Sequence, residues 1–373
     1  MLIGIDASCA NKPNKTGTEW YSWQLIEELK KMTSLDVIAR EPQGDRGNPV
    51  AIERDSHVSL RPDQDDNTLR FLLYTNTKLI GELGQMPNSN WQEKVLAWPP
   101  KYLWTQIRLW WELLLNPPDV LLVPAHTIPL LPIRKKIKII VNVHDVGFRR
   151  SPELYKPLQL WYHDLTMRRI KNRADIIITI SEFSKHEIIE LYDVKSEKIK
   201  VVYLGIDVDK FHPHNVIARE PQGDRGNPVD IERDPHAPLR SARDDGNILK
   251  KYNITQPYLL YVGRLEKKKN IGNIVLAFAL VKEKMPELKL VMAGSAGNQF
   301  EETKKIIATD RLENEVVITG YVDSQDLPLL YSQAEIFLFP TLYEGFGLPI
   351  LEAMASGTPV ITSDFAPDRK SVV

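Results

Sequence analysis

The sequence predicts an α/β protein made of two Rossmann-like, doubly wound domains, and three observations carry that prediction. Short apolar runs such as Leu2–Asp6, Val120–Val123, Pro257–Val262 and Ile336–Phe339 read as buried strands. Several lead directly into loops with glycine, histidine or proline, at the strand ends where such sheets hold ligands. The length of 373 residues fits two domains of ordinary size.

Composition bounds the function. The chain is 43% hydrophobic and 26% charged, which is globular in type. Lys and Arg number 48 against 49 Asp and Glu, a net charge of −1, and nothing in this balance argues for nucleic acid. Cys9 is the only cysteine, so there is no disulfide framework and no cysteine zinc site, and a reducing compartment is the simpler reading. No apolar run reaches transmembrane length, and Met1–Asp6 reads as a strand rather than a signal peptide. The expectation is a cytoplasmic protein, with peripheral contact to the inner membrane face left open.

One internal repeat is not a fold unit. Val37–Arg61 and Val216–Arg240 differ at four of 25 paired positions: Ala51/Asp230, Ser56/Pro235, Val58/Ala237 and Ser59/Pro238. Each copy is rich in charge, Pro and Gly and has too few apolar residues at either period to bury a face. The expectation is two exposed, poorly ordered inserts, which surface loops tolerate because closure entropy grows only logarithmically with length. His57 and His236, inside the copies, carry no functional weight.

In chain order, Leu2–Asp6 is the first strand. A loop Lys12–Thr18 with Gly17 follows, then an amphipathic helix over Glu19–Lys31, the opening of a doubly wound domain. Leu69–Tyr74 is the next strand. Tyr102–Leu115 is a helix carrying Trp104, Trp110 and Trp111; with Trp98 these are expected to pack against the sheet, because the helix has no clearly basic face for a membrane surface. Val120–Val123 and Ile137–Val143 are buried strands. His126 follows the first and His144 closes the second; His144 is the histidine favoured for function, and His126 is left open. Ile176–Ile180 is a strand, Ser181 caps the helix after it, and Lys198–Tyr203 is the last strand of this domain.

The second domain opens near Ile248. Pro257–Val262 leads into Gly263-Arg264-Leu265-Glu266-Lys267-Lys268-Lys269-Asn270 and a helix from Ile271. Leu288–Ala293 and Val316–Thr319 are strands, the latter followed by Gly320-Tyr321-Val322, and Gln325–Tyr331 is a helix. The most informative stretch comes next: Ile336–Phe339 as a strand, the loop Pro340–Gly347, a helix with Pro349 at its first position, a stop at Gly357, and a strand over Thr358–Thr362. Glu344 precedes the glycine loop, and Glu352 is expected in the first helical turn. Loop and helix-start amides make this a place for an anion, and a flanking pair of carboxylates suits a ligand with hydroxyls as well as phosphates. A helix terminus contributes only about 0.3–1 kcal/mol, or ~2 when partly buried. Holding a phosphorylated ligand at roughly 0.1 mM needs about 5.5 kcal/mol. Cations are therefore required, and Arg264 with Lys269 supplies a planar fork and a point charge. Lys267 and Lys268 read as a solvated run.

The stretch from Pro340 to Asp364 resembles the donor-sugar motif of the retaining nucleotide-sugar glycosyltransferases of family four, mannosyltransferase-like members included. That resemblance implies two Rossmann-like domains facing across a cleft, the GT-B fold. It implies that Glu344 contacts the donor sugar, that Gly345, Phe346, Gly347 and Leu348 meet sugar and phosphate, and that Glu352 takes the ribose hydroxyls. Arg264 and Lys269 would hold the diphosphate, Tyr321 and Val322 would lie along the nucleobase, and His144 would stand beside the donor sugar. Gly17 would face the cleft near the donor phosphates, with a plain β–α turn the equal alternative. The catalytic set implied is Glu344, His144, Arg264 and Lys269, with no metal and no cofactor beyond the nucleotide diphosphate sugar itself. The implied domains are 1–210 on the acceptor side, with an insert at about 37–66, a linker over 211–247 holding the second insert, and 248–373 binding the donor. By the resemblance a further strand and closing helices should follow Asp364, so the second domain is expected to be incomplete; Asp368–Val373 resembles translated adapter DNA. The implied function is transfer of a hexose to a hydroxyl acceptor, glycan or lipid-linked, with retention. The rivals are an inactive nucleotide-sugar-binding fragment and, on the same architecture, a sugar-nucleotide epimerase.

Overall fold

The computed structural model describes residues 1–12, 15, 17–34, 69–98, 103–213 and 248–364. Both repeat copies, and the segment after Asp364, lie outside the described residues. The chain forms two compact units: Met1–Val146 with Lys156–Ile180 and Ser184–Val202, and Gly147–Tyr155 with Ser181–Phe183 and Tyr203–Val373.

The first unit holds a seven-stranded, all-parallel sheet. Its strands are β1 (Leu2–Asp6), β2 (Arg70–Thr75), β3 (Trp91–Val95), β4 (Val120–Val123), β5 (Lys138–Asn142), β6 (Ile176–Thr179) and β7 (Ile199–Val201), in the order β3-β2-β1-β4-β5-β6-β7. Runs rich in Ile and Val form these strands because a sheet covered on both faces buries consecutive side chains: Ile5, Leu121, Ile139, Val141 and Ile177 have no or almost no exposed surface. The order reverses between β1 and β4, which opens a crevice at the carboxyl ends of those strands. Gly4 pairs with both neighbours, and a Cβ there would meet the Tyr74 ring at 2.6 Å.

The expected strands of this unit are found to within two residues. β3 is an addition, because Trp-Gln-Glu-Lys-Val is not an apolar run. It is an edge strand, held in register by pairing and by stacking of Trp91 on Phe71 at 4.2 Å. The expected single helix over Tyr102–Leu115 is instead a π-helical stretch, Trp104–Leu109, running into an α-helix, Trp110–Leu115. Within the widened stretch, buried Gln106 donates to the Ile128 carbonyl (3.2 Å) and accepts from Leu130 N–H (2.8 Å). Trp104 is buried as expected, with Nε1 donating to the Leu96 carbonyl at 2.8 Å. Trp111 is not packed away and stands half exposed.

The second unit holds a five-stranded parallel sheet of β8 (Tyr258–Val262), β9 (Lys289–Ala293), β10 (Val316–Gly320), β11 (Ile336–Phe339) and β12 (Val360–Thr362), in the order β10-β9-β8-β11-β12. Its core is aromatic: Tyr258, Tyr261, Phe278, Tyr331, Phe337 and Phe339 are all essentially inaccessible. The order reverses between β8 and β11, so the loops after Val262 and after Phe339 flank this unit's crevice. These are the two loops that carry Arg264 with Lys269, and Glu344.

Candidate functional site

The β8 loop turns sharply and is held from beneath. Gly263 has φ +149 and donates to Ala293 O at 2.9 Å, Leu265 donates to Ser295 O at 2.9 Å, and the buried Tyr261 hydroxyl donates to the Arg264 carbonyl at 3.0 Å. A 3-10 turn over Lys267–Lys269 follows. Asn270, in the left-handed region at φ 60, then starts the helix Ile271–Lys282. The β11 loop is stitched to this turn, with Leu342 N–H donating to the Lys268 carbonyl at 3.0 Å.

That stitching brings Lys269 and Glu344, 75 positions apart in the chain, into a direct ion pair. Both are largely shielded from water, and Lys269 also lies 5.2 Å from the centre of the Phe339 ring. The Arg264 side chain, by contrast, is exposed and, among the described residues, has no ion-pair partner. Its aliphatic stem crosses Gly297, where a Cβ would stand 2.8 Å from Arg264 Cγ. The loop thus presents one uncommitted guanidinium and one ammonium committed to a carboxylate.

Gly347, at φ 95, caps the helix Leu348–Ala355. Because that left-handed residue starts the helix at Leu348, Pro349 is the second helical residue rather than the first. Glu352 is the fifth, beyond the first turn in which the sequence pattern places it. The Glu352 carboxylate therefore does not serve the helix dipole. It accepts a 2.8 Å hydrogen bond from the Tyr331 hydroxyl. Burial pushes its carboxyl above the usual carboxylate range, against the opposing effects of that hydrogen bond and of the Lys210 charge. Burial likewise lowers Lys210, with Glu352 and Asp207 opposing. Phe346 is buried, and Gly345 and Gly347 are enclosed.

A carboxyl raised in the folded state binds more protons folded than unfolded, so stability falls as pH rises from the unfolded pKa through the folded one. Glu352→Gln keeps an acceptor for Tyr331 and removes that loss. Its expected result is a higher melting temperature at pH 7 than wild type and no difference at pH 3.5, checked by calorimetry across pH.

Tyr321 is exposed and Val322 buried in the core, after a left-handed Gly320 whose carbonyl accepts from Gly294 N–H at 2.8 Å. Only the backbone of Val322 is available to a ligand. Ser181 stands immediately before the helix Glu182–Tyr192, and its hydroxyl donates to the Gly345 carbonyl at 2.7 Å within the second unit.

In the first unit, His144 stands at the carboxyl end of β5. Its ring meets Tyr21 edge-on at 4.6 Å, and Nε2 lies 3.2 Å from the Pro124 carbonyl. Donation to that carbonyl fixes the proton on Nε2 and leaves Nδ1 as an acceptor. Burial lowers the His144 pKa, with Asp145 opposing, so the ring is neutral at pH 7. Burial also lowers His126, whose ring is 5.5 Å from that of His163. Gly17 is the first residue of the helix Gly17–Ser34 rather than part of a turn. It is exposed, and a Cβ there would meet nothing within 4 Å, so the local backbone does not require glycine. Among the described residues no group of three His, Cys, Asp or Glu is placed to hold a metal ion.

Tyr331, Lys210, Tyr261 and Tyr21 are neighbours of the site residues that the sequence pattern does not single out. Tyr331 and Tyr261 sit in apolar runs that look like plain core. Their only sequence signal is that a buried Tyr hydroxyl needs a partner.

The model of Glycosyltransferase Family 4 matches residues 15–210, and that of Glycosyl transferases group 1 matches residues 244–373. The O-antigen chain mannosyltransferase B of Escherichia coli is 30% identical over 229 residues, covering 61% of this chain and 53% of that protein. The chain spans about half the length of the curated relatives it matches. Among solved structures, Anabaena HepE in complex with UDP-glucose superposes with a TM-score of 0.62 at 16% identity, over 100% of this chain and 82% of that one. Sucrose-phosphate synthase from Thermosynechococcus elongatus does so with 0.62 at 16%, over 98% and 81%. These likenesses are of fold, two parallel-sheet α/β domains of the GT-B kind. With its model covering more than half of the 373 residues, the chain belongs to Glycosyltransferase Family 4, and most of the remainder matches Glycosyl transferases group 1.

Proposed function

We propose that this chain carries the donor site of a retaining hexosyltransferase that moves mannose or glucose from a nucleotide diphosphate donor to a hydroxyl of a glycan or lipid-linked acceptor. The observation that carries the reading is the meeting of Lys269 and Glu344 at the reversal of the second sheet, with Arg264 uncommitted beside them. A diphosphate entering there gives Lys269 a new anionic partner. That releases Glu344 to accept hydrogen bonds from sugar hydroxyls, while Arg264 holds the phosphates in its fork. Glu352, held by Tyr331, is placed for ribose hydroxyls, and the amides of Gly347 and Leu348 for a phosphate oxygen. Tyr321 and the Val322 backbone line the base, and Gly17 and His144 belong to the acceptor-side unit, where a neutral His144 offers Nδ1 to a hydroxyl.

In the reaction the anomeric carbon–oxygen bond to the diphosphate breaks, and its electron pair leaves on the phosphate oxygen. The acceptor oxygen bonds the same face of the oxocarbenium-like carbon, and its proton passes to the departing phosphate. Arg264 and Lys269 stabilise the charge that grows on the leaving group, a preorganised electrostatic role. The homology to a mannosyltransferase supports the sugar class, and the motif residues support the donor.

The test is donor consumption by purified protein over a panel of UDP- and GDP-hexoses. Wild type should release nucleoside diphosphate from at least one donor, and Glu344→Ala should do so ~10²-fold more slowly. Equal binding and turnover in wild type and Glu344→Ala would overturn the reading. Binding that depends on Lys269 without any turnover would assign the chain to nucleotide-sugar binding alone.

A further inference from the structure

We propose that the Tyr252 hydroxyl is a positioning group for the nucleoside half of the donor, acting through the turn Asp323–Asp326. The inference rests on the donor reading above, in which Tyr321, the Val322 backbone and Glu352 meet the nucleoside. The turn follows Tyr321 and Val322 directly and leads into the helix Leu327–Ser332, which carries Tyr331. Tyr331 in turn donates to Glu352 at 2.8 Å. Base and ribose contacts therefore both depend on where the one segment from Tyr321 to Tyr331 lies.

Tyr252 is at the centre of the bonding of that turn. Its hydroxyl donates to the Asp326 carboxylate at 2.7 Å and accepts from the Asp323 N–H at 3.3 Å. The Asp326 N–H donates to the Asp323 carbonyl at 2.9 Å, so a single phenol oxygen closes both ends of the turn. Lys251 Nζ lies 2.9 Å from the Asp323 carboxylate and 2.7 Å from that of Asp326, and its charge offsets the repulsion between the two. The partners are 71 to 75 positions apart in the chain, so the clamp is a tertiary tie and not local turn chemistry.

The anchor is itself fixed. Tyr252 N–H donates to the Ile248 carbonyl at 3.2 Å, and Asn253 follows in the left-handed region at φ 56. The chain then turns back so that Ile254 N–H reaches the Leu249 carbonyl at 2.8 Å, the closure of a helix end. Ile254 is buried in the aromatic core, and the Tyr252 ring packs against that core. Lys251 is exposed, and exposed ion pairs contribute little. The half-buried hydroxyl on a largely shielded carboxylate is the stronger, charge-assisted bond. The β8 loop with Arg264 and Lys269 is held separately, through Ala293, Ser295 and Tyr261. Loosening the turn thus lowers the fraction of the protein competent to take the nucleoside, which weakens apparent affinity without altering the bound complex.

The experiment compares Tyr252→Phe and Asp326→Asn with wild type in the full chain, using a nucleotide sugar that wild type consumes. Tyr252→Phe keeps the ring in the core and removes both hydroxyl bonds. It should raise KM for the donor about tenfold, the scale of a hydrogen bond to a charged group, and leave kcat unchanged. Asp326→Asn keeps an acceptor for Tyr252 and should stay close to wild type. Inorganic pyrophosphate, as a competitive inhibitor, reads the phosphate contacts alone, and its inhibition constant should be the same in wild type and Tyr252→Phe. An unchanged KM in Tyr252→Phe would overturn the inference. So would a fall in kcat, or a loss of pyrophosphate inhibition in step with KM, either of which would mark a loosening of the whole unit. A wild-type protein that consumes no donor would instead remove the donor reading, and the inference with it.

Discussion

Lys269→Ala should lower donor turnover by about 10²–10³-fold, the scale on which removing one preorganised charge-stabilising group acts. It should also destabilise the second unit, because Glu344 is left largely shielded with no countercharge. Leaving a buried polar group unpaired costs about 1–3 kcal/mol, and more when it is charged. The two effects separate in a double-mutant cycle. Adding Glu344→Ala to Lys269→Ala removes the orphaned carboxylate, so the melting temperature should recover in part. Turnover should not recover, since both ligands of the donor are then gone. Steady-state release of nucleoside diphosphate and calorimetric melting of the four proteins check this. Equal turnover in wild type and Lys269→Ala would remove the lysine from the site.

Gly294→Ala is expected to be the most damaging single-atom change. A Cβ at residue 294 would lie 1.9 Å from the Gly263 carbonyl oxygen, and φ +149 is a conformation that L side chains rarely adopt. The atom in the way is backbone, so no rotamer change relieves the clash. The peptide that leads into Arg264 must move. A loss of ~3 kcal/mol or more results from strain of this kind, which lowers the melting temperature of the second unit by roughly 6–12 °C. Donor affinity should fall with it, although neither Lys269 nor Glu344 is touched. Gly17→Ala is the matched control. With nothing within 4 Å and a helical position, it should leave melting unchanged or raise it slightly. Differential scanning calorimetry of both variants distinguishes a required close approach from a glycine that merely occurs near a strand end.

Much of this architecture is legible in the sequence because parallel strands buried on both faces announce themselves as Ile- and Val-rich runs. β4, β8, β9 and β11 are of this type. β3 is not legible, since an edge strand with one covered face needs few apolar residues, and its pairing with β2 is a tertiary fact. The left-handed start of the helix at Leu348 is legible as a glycine but not as a geometry. One residue of offset moves Glu352 out of the first turn and into the reach of Tyr331. The sequence pattern puts Lys269 and Glu344 together only as residues expected to share a ligand. That the two bond each other results from the stitching of Leu342 to Lys268, which no local pattern encodes. The exposed Trp111 departs from the expected packing, and no spacing in its helix signals which of the tryptophans is left half exposed.

In the proposed mode of binding the donor occupies the crevice between β8 and β11 and replaces the Lys269–Glu344 bond with bonds to itself. A crystal structure of the chain with UDP or GDP bound tests it most directly. The expected result is diphosphate oxygens within hydrogen-bonding distance of Arg264 and Lys269, ribose hydroxyls on Glu352, and Glu344 parted from Lys269. A nucleotide bound elsewhere, with the Lys269–Glu344 pair intact, would contradict it.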